Sequence, residues 1–254
     1  MKCITKPIFM ALLLTIPMLL LAETGYDIAK AMEDQPAPQD MKSNMTMTLT
    51  NKQGKTRESS IRSISADDNK KQIIWFLAPA DDKGVAFLKI EHDDKDDEMR
   101  LWLPAFKKVR RISSKKKADS FMGSDLSYED MTSRELDEYT YELKGEKTVG
   151  GIDCHILEST PKPGVTRTYK KFITYVSKAD LVTIQDEAYD MRDKLLKTRS
   201  MTYSQVKGYN LPVEIFVENV QKKHSTKLVF SDQQIDTGVK SDLFQEKNLK
   251  RIPK

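Results

Sequence analysis

Residues 99–131 read MRLWLPAFKKVRRISSKKKADSFMGSDLSYEDM, and the order of parts in this stretch is the most informative feature of the chain. An alternating apolar strand ends at Pro104, and a run of Lys and Arg residues follows it. Phe121 and Met122 then lie at a Gly-Ser-Asp turn, before a short acidic and aromatic segment. This order contains neither the nucleophile elbow of a hydrolase nor a glycine-rich phosphate loop. The stretch therefore gives no support to those enzyme classes.

Short runs of alternating polar and apolar residues continue on both sides of this stretch. Residues 43–50 alternate polar side chains with Met45, Met47 and Leu49, and a turn at residues 51–54 leads into the next run. Roughly eleven or twelve such runs follow in order, each bounded by turn residues. Their connections are too short for the crossovers that parallel strands require. We therefore predict a mainly β fold built as one long antiparallel meander.

Only three short segments indicate helices: residues 26–32, 127–134 and 241–250. A long sheet cannot stay flat and open without burying its apolar face, so we expect it to curl into an incomplete, or half, β-barrel covered by a lid of these few helices. Residues 73–77 carry apolar side chains on both faces of their strand, which indicates a strand that is covered on both sides.

The central stretch resembles the pattern LPA-x-[KR]-[KR]-V-[KR]-R-I…F-[ML]-G-S-D-x-S-Y-E-D of the LolA-like family, the outer-membrane lipoprotein-sorting proteins. The similarity continues at residues 76–88, FLAPADDKGVAFL, and at the ending from Asp242 to Leu249, so it covers most of the chain. The resemblance implies a half-barrel with a helical lid around an apolar cavity. It also implies a lipid or lipoprotein cargo and, as a partner, an inner-membrane transporter of the resistance-nodulation-division (RND) type.

Residues 1–22 have the pattern of a signal peptide. Lys2 and Lys6 form a charged start, an apolar run follows, and Ala22 is a small residue at the expected cleavage site. A membrane anchor would need about 20 apolar residues, and this run is shorter and contains Pro17. We therefore expect export to the periplasm of a Gram-negative bacterium and a single mature domain over residues 23–254.

Charge and cysteine content limit the possible binding partners and disulfide bonds. The chain has 42 Lys and Arg and 38 Asp and Glu residues, and without Lys2 and Lys6 the mature part keeps 40 against 38. This balance gives no signal for nucleic-acid binding. Loss of Cys3 with the signal peptide leaves Cys154 alone, so we expect no intramolecular disulfide and a fold stabilised by its core.

The patterns that could indicate catalysis or metal binding are incomplete. The three histidines are scattered, and adjacent Cys154 and His155 would point to opposite faces of a strand. The acidic residues at 93–98 lack the glycine and closing glutamate of a calcium loop. Residues 113–116 match Ser-x-x-Lys, but no Lys-Thr-Gly follows. We predict neither enzyme activity nor a metal or cofactor.

Two functions fit this sequence. The first is a periplasmic carrier that holds an acyl chain in an apolar cavity, and the second is a regulatory or structural domain that binds a protein segment at a strand edge or groove. Period-two patterning is the same for a filled and a hollow barrel, so it does not separate them. For the carrier, the predicted cavity lining is Trp75, Leu77, Phe87, Leu101, Leu103, Phe121, Met122 and Val213.

The basic run suggests a docking surface. Lys115, Lys116 and Lys117 crowd one turn, from which all three could reach an acidic headgroup layer or a transporter domain. The competing interpretation is a solvated strand end. We further predict that Phe121 and Met122 belong to a mobile apolar loop at the cavity mouth, and that membrane contact is transient.

Overall fold

The computed structural model describes residues 23–252, in which one helix and a single antiparallel sheet dominate. The predicted signal peptide lies outside the described residues. The helix, α1, spans Gly25–Glu33. The strands are β1 Asp40–Thr50, β2 Thr56–Ala66, β3 Lys71–Ala78, β4 Ala86–Ile90, β5 Glu98–Leu103, β6 Lys108–Arg111, β7 Tyr139–Val149, β8 Ile152–Pro161, β9 Lys171–Ser177, β10 Thr183–Tyr189, β11 Leu195–Val206, β12 Tyr209–Asn219 and β13 His224–Ile235.

The strands pair in the order β6-β5-β4-β3-β2-β1-β13-β12-β11-β10-β9-β8-β7. Each strand therefore lies beside its neighbours in sequence, except that β1 pairs with β13 and joins the two halves of the sheet. The sheet is not closed into a barrel, because β6 and β7 remain at its two edges. The prediction of a mainly β, LolA-like half-barrel is confirmed.

One face of the sheet, here called the inner face, is covered by α1 and by residues 112–138, here called the cover segment. Ile28 and Ala29 of α1 pack against Leu157 and Val176 of the sheet. The first turn of the helix lies so close to β7 that a Cβ at Gly25 would be 2.8 Å from the Leu143 backbone nitrogen. Glycine at this position therefore permits the contact.

The other face, the outer face, is covered by the C-terminal residues. Trp75 and Leu88 are buried there beneath Phe244 and Leu249. The two segments of this region that fold locally, Ser241–Leu243 and Glu246–Lys250, are short 3-10 helices. The covering of β3 on both faces agrees with the sequence pattern.

The helical lid differs from the sequence prediction. Only α1 is an α-helix among the described residues, and the segment expected to be helical at residues 127–134 contains a single 3-10 turn at Glu129–Met131. The terminal segment at residues 241–250 lies on the outer face and not over the cavity. Irregular chain held by side-chain hydrogen bonds thus replaces most of the expected lid helices.

Candidate functional site: a cavity between the sheet and its cover

A cavity of about 850 Å³ lies between the inner face, α1 and the cover segment. This volume falls within the range of roughly 300–1,000 Å³ that is typical of sites for small organic ligands. The sheet contributes most of its apolar wall. That wall includes Met45, Met47, Ile61, Ile74, Leu211, Ile215, Leu228 and Phe230.

The apolar wall follows directly from strand periodicity. Met47 lies opposite Leu228, and Leu228 lies opposite Ile215, so the three side chains point to the same face. Met45 lies opposite Phe230 in the next inward-facing row. The rows on β12, β13 and β1 therefore form one continuous apolar surface.

Phe121 fixes the cover segment to the inner face. Its side chain is buried, and its ring centroid lies 5.2 Å from Phe87, 5.8 Å from Tyr128 and 6.2 Å from Phe76. The contacts with Phe87 and Tyr128 are edge-to-face and the contact with Phe76 is tilted, and such aromatic clusters stabilise a packed core. Phe121 is therefore part of the packed inner-face core, and mobility of the loop at Phe121 and Met122 stays a prediction.

Hydrogen bonds from Asp125 hold the same segment to β13. The Asp125 backbone N–H donates to Thr226 Oγ1 over 2.8 Å, and the Thr226 hydroxyl donates back to the Asp125 carboxylate over 2.7 Å. His224 Nδ1 lies 2.7 Å from the same carboxylate oxygen. Each of these groups is largely withdrawn from solvent, so loss of one would leave its partner unsatisfied.

Asp130 forms a second anchor, to β11. Its carboxylate accepts hydrogen bonds from Ser127, from the Tyr169 hydroxyl over 2.9 Å and from the Lys197 ammonium. Burial alone would raise the pKa of Asp130, but Lys197 and Ser127 hold that pKa below its usual value. The carboxylate is therefore ionised and paired in the folded protein.

A third anchor pairs two arginines with one carboxylate. Asp186 on β10 accepts a hydrogen bond from Arg134 of the cover segment over 2.8 Å and another from Arg199 on β11. Burial opposes ionisation of Asp186, but the two guanidinium groups keep its pKa below its usual value. Arg134 also stacks on Phe172, 4.0 Å from the ring centroid. Both arginines line the cavity.

A fourth anchor connects the cover segment to the far end of β4. Lys89 is fully buried on the inner face, and its Nζ lies 2.5 Å from Glu91 Oε1. The backbone N–H of Ser133 donates to the same Glu91 carboxylate, 3.1 Å from Oε2. The ion pair thus holds one side of the cover segment against the first half of the sheet.

One end of the cavity is acidic. Glu33 at the end of α1, Asp68 and Glu135 line it together with Lys70. Burial is the main cause that raises the pKa of Glu135, and neighbouring acidic groups add to the shift. The cavity lining therefore combines this acidic group with Arg134 and Arg199, whose shared partner Asp186 lies behind them outside the lining.

The structure separates the residues that the sequence suggested as cavity lining. Phe87, Leu101 and Phe121 are buried in the inner-face core, with Leu103 and Met122 packed against it, but only Phe121 among them borders the cavity. Trp75 and Leu77 lie on the outer face, so they cannot line the cavity. Val213 is the extra residue of a β-bulge between the pairs Thr202–Glu214 and Tyr203–Pro212, and it is also absent from the lining.

The basic turn is partly neutralised by neighbouring acidic side chains. Lys117 forms a 2.9 Å ion pair with Asp97, and Lys116 lies 3.7 Å from Asp119. Lys115 is exposed and has no ion-pair partner among residues 23–252. The same is true of four cations on and beside edge strand β6. Together, these five residues are here called the basic surface: Lys107, Lys108, Arg110, Arg111 and Lys115.

Sequence reasoning did not find the charged groups at the cavity wall. Arg134, Arg199 and their partner Asp186 belong to segments far apart in the chain, and no short motif marks any of them. Met45, Met47 and Leu228 were recognisable as inward-facing residues of alternating runs, and only the pairing of β1 with β13 places them at one cavity.

No helix in the described part of the chain is both long and apolar enough to span a bilayer. A family model with the description "Uncharacterized protein" matches residues 68–251, more than half of the chain. A search of curated proteins finds no match.

Many solved structures are similar to this chain, among them the following three. A DUF1329 family protein from Desulfovibrio piger is 35% identical, with a TM-score of 0.83, and the match covers 89% of this chain and 97% of that protein. A putative outer membrane lipoprotein-sorting protein domain from Vibrio parahaemolyticus is 32% identical, with a TM-score of 0.84, over 89% and 98% of the two chains. A LolA superfamily protein from Nitrosomonas europaea shares the fold, with a TM-score of 0.70 at 19% identity, over 89% and 99% of the two chains.

Proposed function

The chain belongs to the LolA-like family of outer-membrane lipoprotein-sorting proteins, and from this membership and the cavity we propose that it is a periplasmic lipid carrier. In this proposal the protein binds an acyl moiety of a lipid or lipoprotein and moves it between the inner and outer membranes. A carrier of this kind performs no covalent chemistry. The observation that carries the proposal is the apolar cavity beneath the cover segment.

The energetic requirement for such a carrier is shelter of the acyl chain from water. Exposure costs about 0.8 kcal/mol for each methylene group, so a free chain does not cross the periplasm unaided. Met45, Met47 and Met131 all border the cavity. Methionine side chains are unbranched and adaptable, which suits a wall that must accept chains of different length.

Cargo must also be received from a donor, and we propose that the donor docks on the basic surface together with the lysine turn Lys115–Lys117. Phe106, which precedes Lys107 of the basic surface, is 70% exposed, which is unusual for a large apolar side chain. An exposed aromatic ring beside several cations suits an anionic headgroup layer or an acidic partner domain. The family resemblance makes an inner-membrane transporter of the RND type the proposed partner.

The test of the carrier proposal is native mass spectrometry of the mature protein purified without detergent. We expect a mass increment that organic extraction removes and that lipid analysis identifies. The variant Ile215→Trp, which puts a large ring on the cavity wall, should lose the bound species. Phe216→Trp, on the next residue of the same strand and 36% exposed, is the matched control and should keep it.

The alternative is a periplasmic domain that binds a protein segment without carrying lipid. The open edge of β7, which is eleven residues long, is the feature that favours it, because an extended peptide can pair with such an edge. Absence of bound lipid in the wild type, together with no uptake of added lipid, would refute the carrier proposal and leave this alternative.

A further inference from the structure

Arg134 and Arg199 line the cavity, and together with their partner Asp186 they carry a net positive charge. Two guanidinium groups share one carboxylate, and within residues 23–252 each makes its only hydrogen bond to the same Asp186 oxygen. The neighbouring Lys197 and Asp130 balance each other. These five ionised groups therefore leave one net positive charge beside the cavity.

Many donors of the two arginines have no acceptor in the protein. Each guanidinium has five N–H donors in a planar fork. Arg199 Nε is buried and has no hydrogen-bond partner among the described residues. About 20% of the Arg199 side chain and 30% of the Arg134 side chain remain exposed, and both residues line the cavity. The exposed parts are thus available to a group inside the cavity.

The charged trio adjoins the apolar wall directly. Arg199 lies opposite Val217 on β12, and Ile215, two residues before Val217, faces Leu228 on β13. A ligand with one end at Arg199 can therefore place its other end against Leu228 and Met47 without crossing a polar region. The acidic rim formed by Glu33, Asp68 and Glu135 would repel an anionic group, since only Lys70 is a cation there.

We infer that the cavity binds an amphiphile with a single anionic head, a carboxylate or a phosphate, which Arg134 and Arg199 contact while its chain lies along the apolar wall. This inference rests on the proposed carrier function and defines the class of its cargo. Arginine suits the role because its planar fork contacts two oxygens of a carboxylate or phosphate at once. The partly buried site strengthens the attraction relative to bulk water.

The test compares three probes that share one chain: hexadecanoate, hexadecyl phosphate and hexadecanol. A hydrogen bond to a charged group contributes enough that the wild type should bind an anionic probe at least about tenfold more tightly than the alcohol. The stronger of the two anions identifies the head that the site prefers. Binding is measured by displacement of a fluorescent fatty-acid analogue, which reports the cavity directly.

Two variants give opposite expected shifts. Arg199→Gln should reduce the preference for the anion over the alcohol at least about fivefold, because Asp186 then neutralises the remaining Arg134. Asp186→Asn should increase that preference, because it frees both guanidinium groups. Arg62→Gln is the matched control: Arg62 donates to Asn44 and is not part of the cavity lining, so its ratio should equal that of the wild type.

The ratio of affinities for the anionic probes and the alcohol separates a change in headgroup preference from damage to the fold. A variant that binds all probes more weakly by the same factor has an unchanged ratio, and an unchanged ratio for both Arg199→Gln and Asp186→Asn overturns the inference. Equal binding of the three probes by the wild type also overturns it, and the carrier proposal survives. If none of the three probes binds the wild type, the carrier proposal itself fails.

Discussion

Replacement of Glu91 by Gln should destabilise the protein far more than the loss of one surface ion pair would. Lys89 is completely buried, and Glu91 retains only 4% exposure of its side chain. Glu91→Gln keeps the shape of the side chain and an acceptor for the Ser133 N–H, but removes the charge that compensates Lys89. The variant therefore isolates the electrostatic part of this anchor.

The expected magnitude follows from the burial of the lysine. Breaking a buried ion pair by removing one partner costs about 3–5 kcal/mol, because an uncompensated charge remains inside. For a domain of this size each kcal/mol shifts the melting temperature by about 2–4 °C, so the loss should be about 6–20 °C. The exposed pair of Lys70 and Asp93 gives the control: Asp93→Asn should leave the melting temperature close to that of the wild type, because solvent screens an exposed pair.

The pH dependence of the variant provides a second measurement. Burial lowers the pKa of Lys89, and the nearby Glu91 opposes that shift in the wild type. Without Glu91 the folded-state pKa falls further below the unfolded-state value, so between these two values the unfolded chain binds more protons. Stability of Glu91→Gln should therefore rise as pH is increased from neutral towards about pH 10, where lysine in the unfolded chain begins to lose its proton.

The assay is chemical unfolding followed by tryptophan fluorescence at several pH values, with thermal unfolding as a check. Lys89→Met combined with Glu91→Gln should recover most of the lost stability, because an apolar side chain of similar length leaves no buried charge. A loss below about 1 kcal/mol for Glu91→Gln would refute the argument that this pair is buried in solution.

Three further changes test other parts of the molecule. Conversion of Lys115–Lys117 to Glu should slow transfer of cargo from anionic vesicles and leave cargo binding intact. The difference from the wild type should shrink as added salt shortens the screening length to about 8 Å and below. Equal transfer by variant and wild type at low salt would contradict docking through this turn. Phe121→Ala should cost about 3–5 kcal/mol in urea unfolding, whereas a cost near zero would mean that the cover segment is mobile. Glu135→Gln should raise stability near neutral pH, because burial raises the pKa of Glu135 and thus disfavours its ionised form in the folded state. The gain should vanish in acid, where Glu135 is protonated in both the folded and the unfolded state. Equal stability of variant and wild type at neutral pH would contradict this.

Strand periodicity and turn residues were sufficient to predict the sheet. The alternation of Met45, Met47 and Leu49 on β1 and the two apolar faces of β3 appear in the structure as expected. Local patterns determine these features, because each strand must bury one or both faces wherever it lies in the sheet.

Local patterns could not show which face borders the cavity. Trp75 and Phe76 are both apolar and both buried, yet the outer-face layer over Trp75 comes from Phe244 and Leu249, about 170 residues later in the chain. A bulge displaced Val213 from the period-two row in which the sequence placed it. Both placements depend on the position of a segment relative to distant ones, which a single sequence does not encode locally.

The cover segment explains why the polar residues of the site were also missed. This segment must run from edge strand β6 to edge strand β7, so it has to cross the whole inner face, and its backbone finds few strand partners on the way. It is instead held by side chains on both halves of the sheet: Glu91 on the first half, and Thr226, Lys197 and Asp186 on the second. Three of the four anchors place a charged or polar residue in the cavity lining, namely Ser133, Asp130 and the pair Arg134 and Arg199, because buried backbone and carboxylates need partners. The polar part of the cavity wall thus follows from the need to hold the cover segment against the sheet. Holding the cover segment does not by itself require the one positive charge that remains uncompensated among these groups.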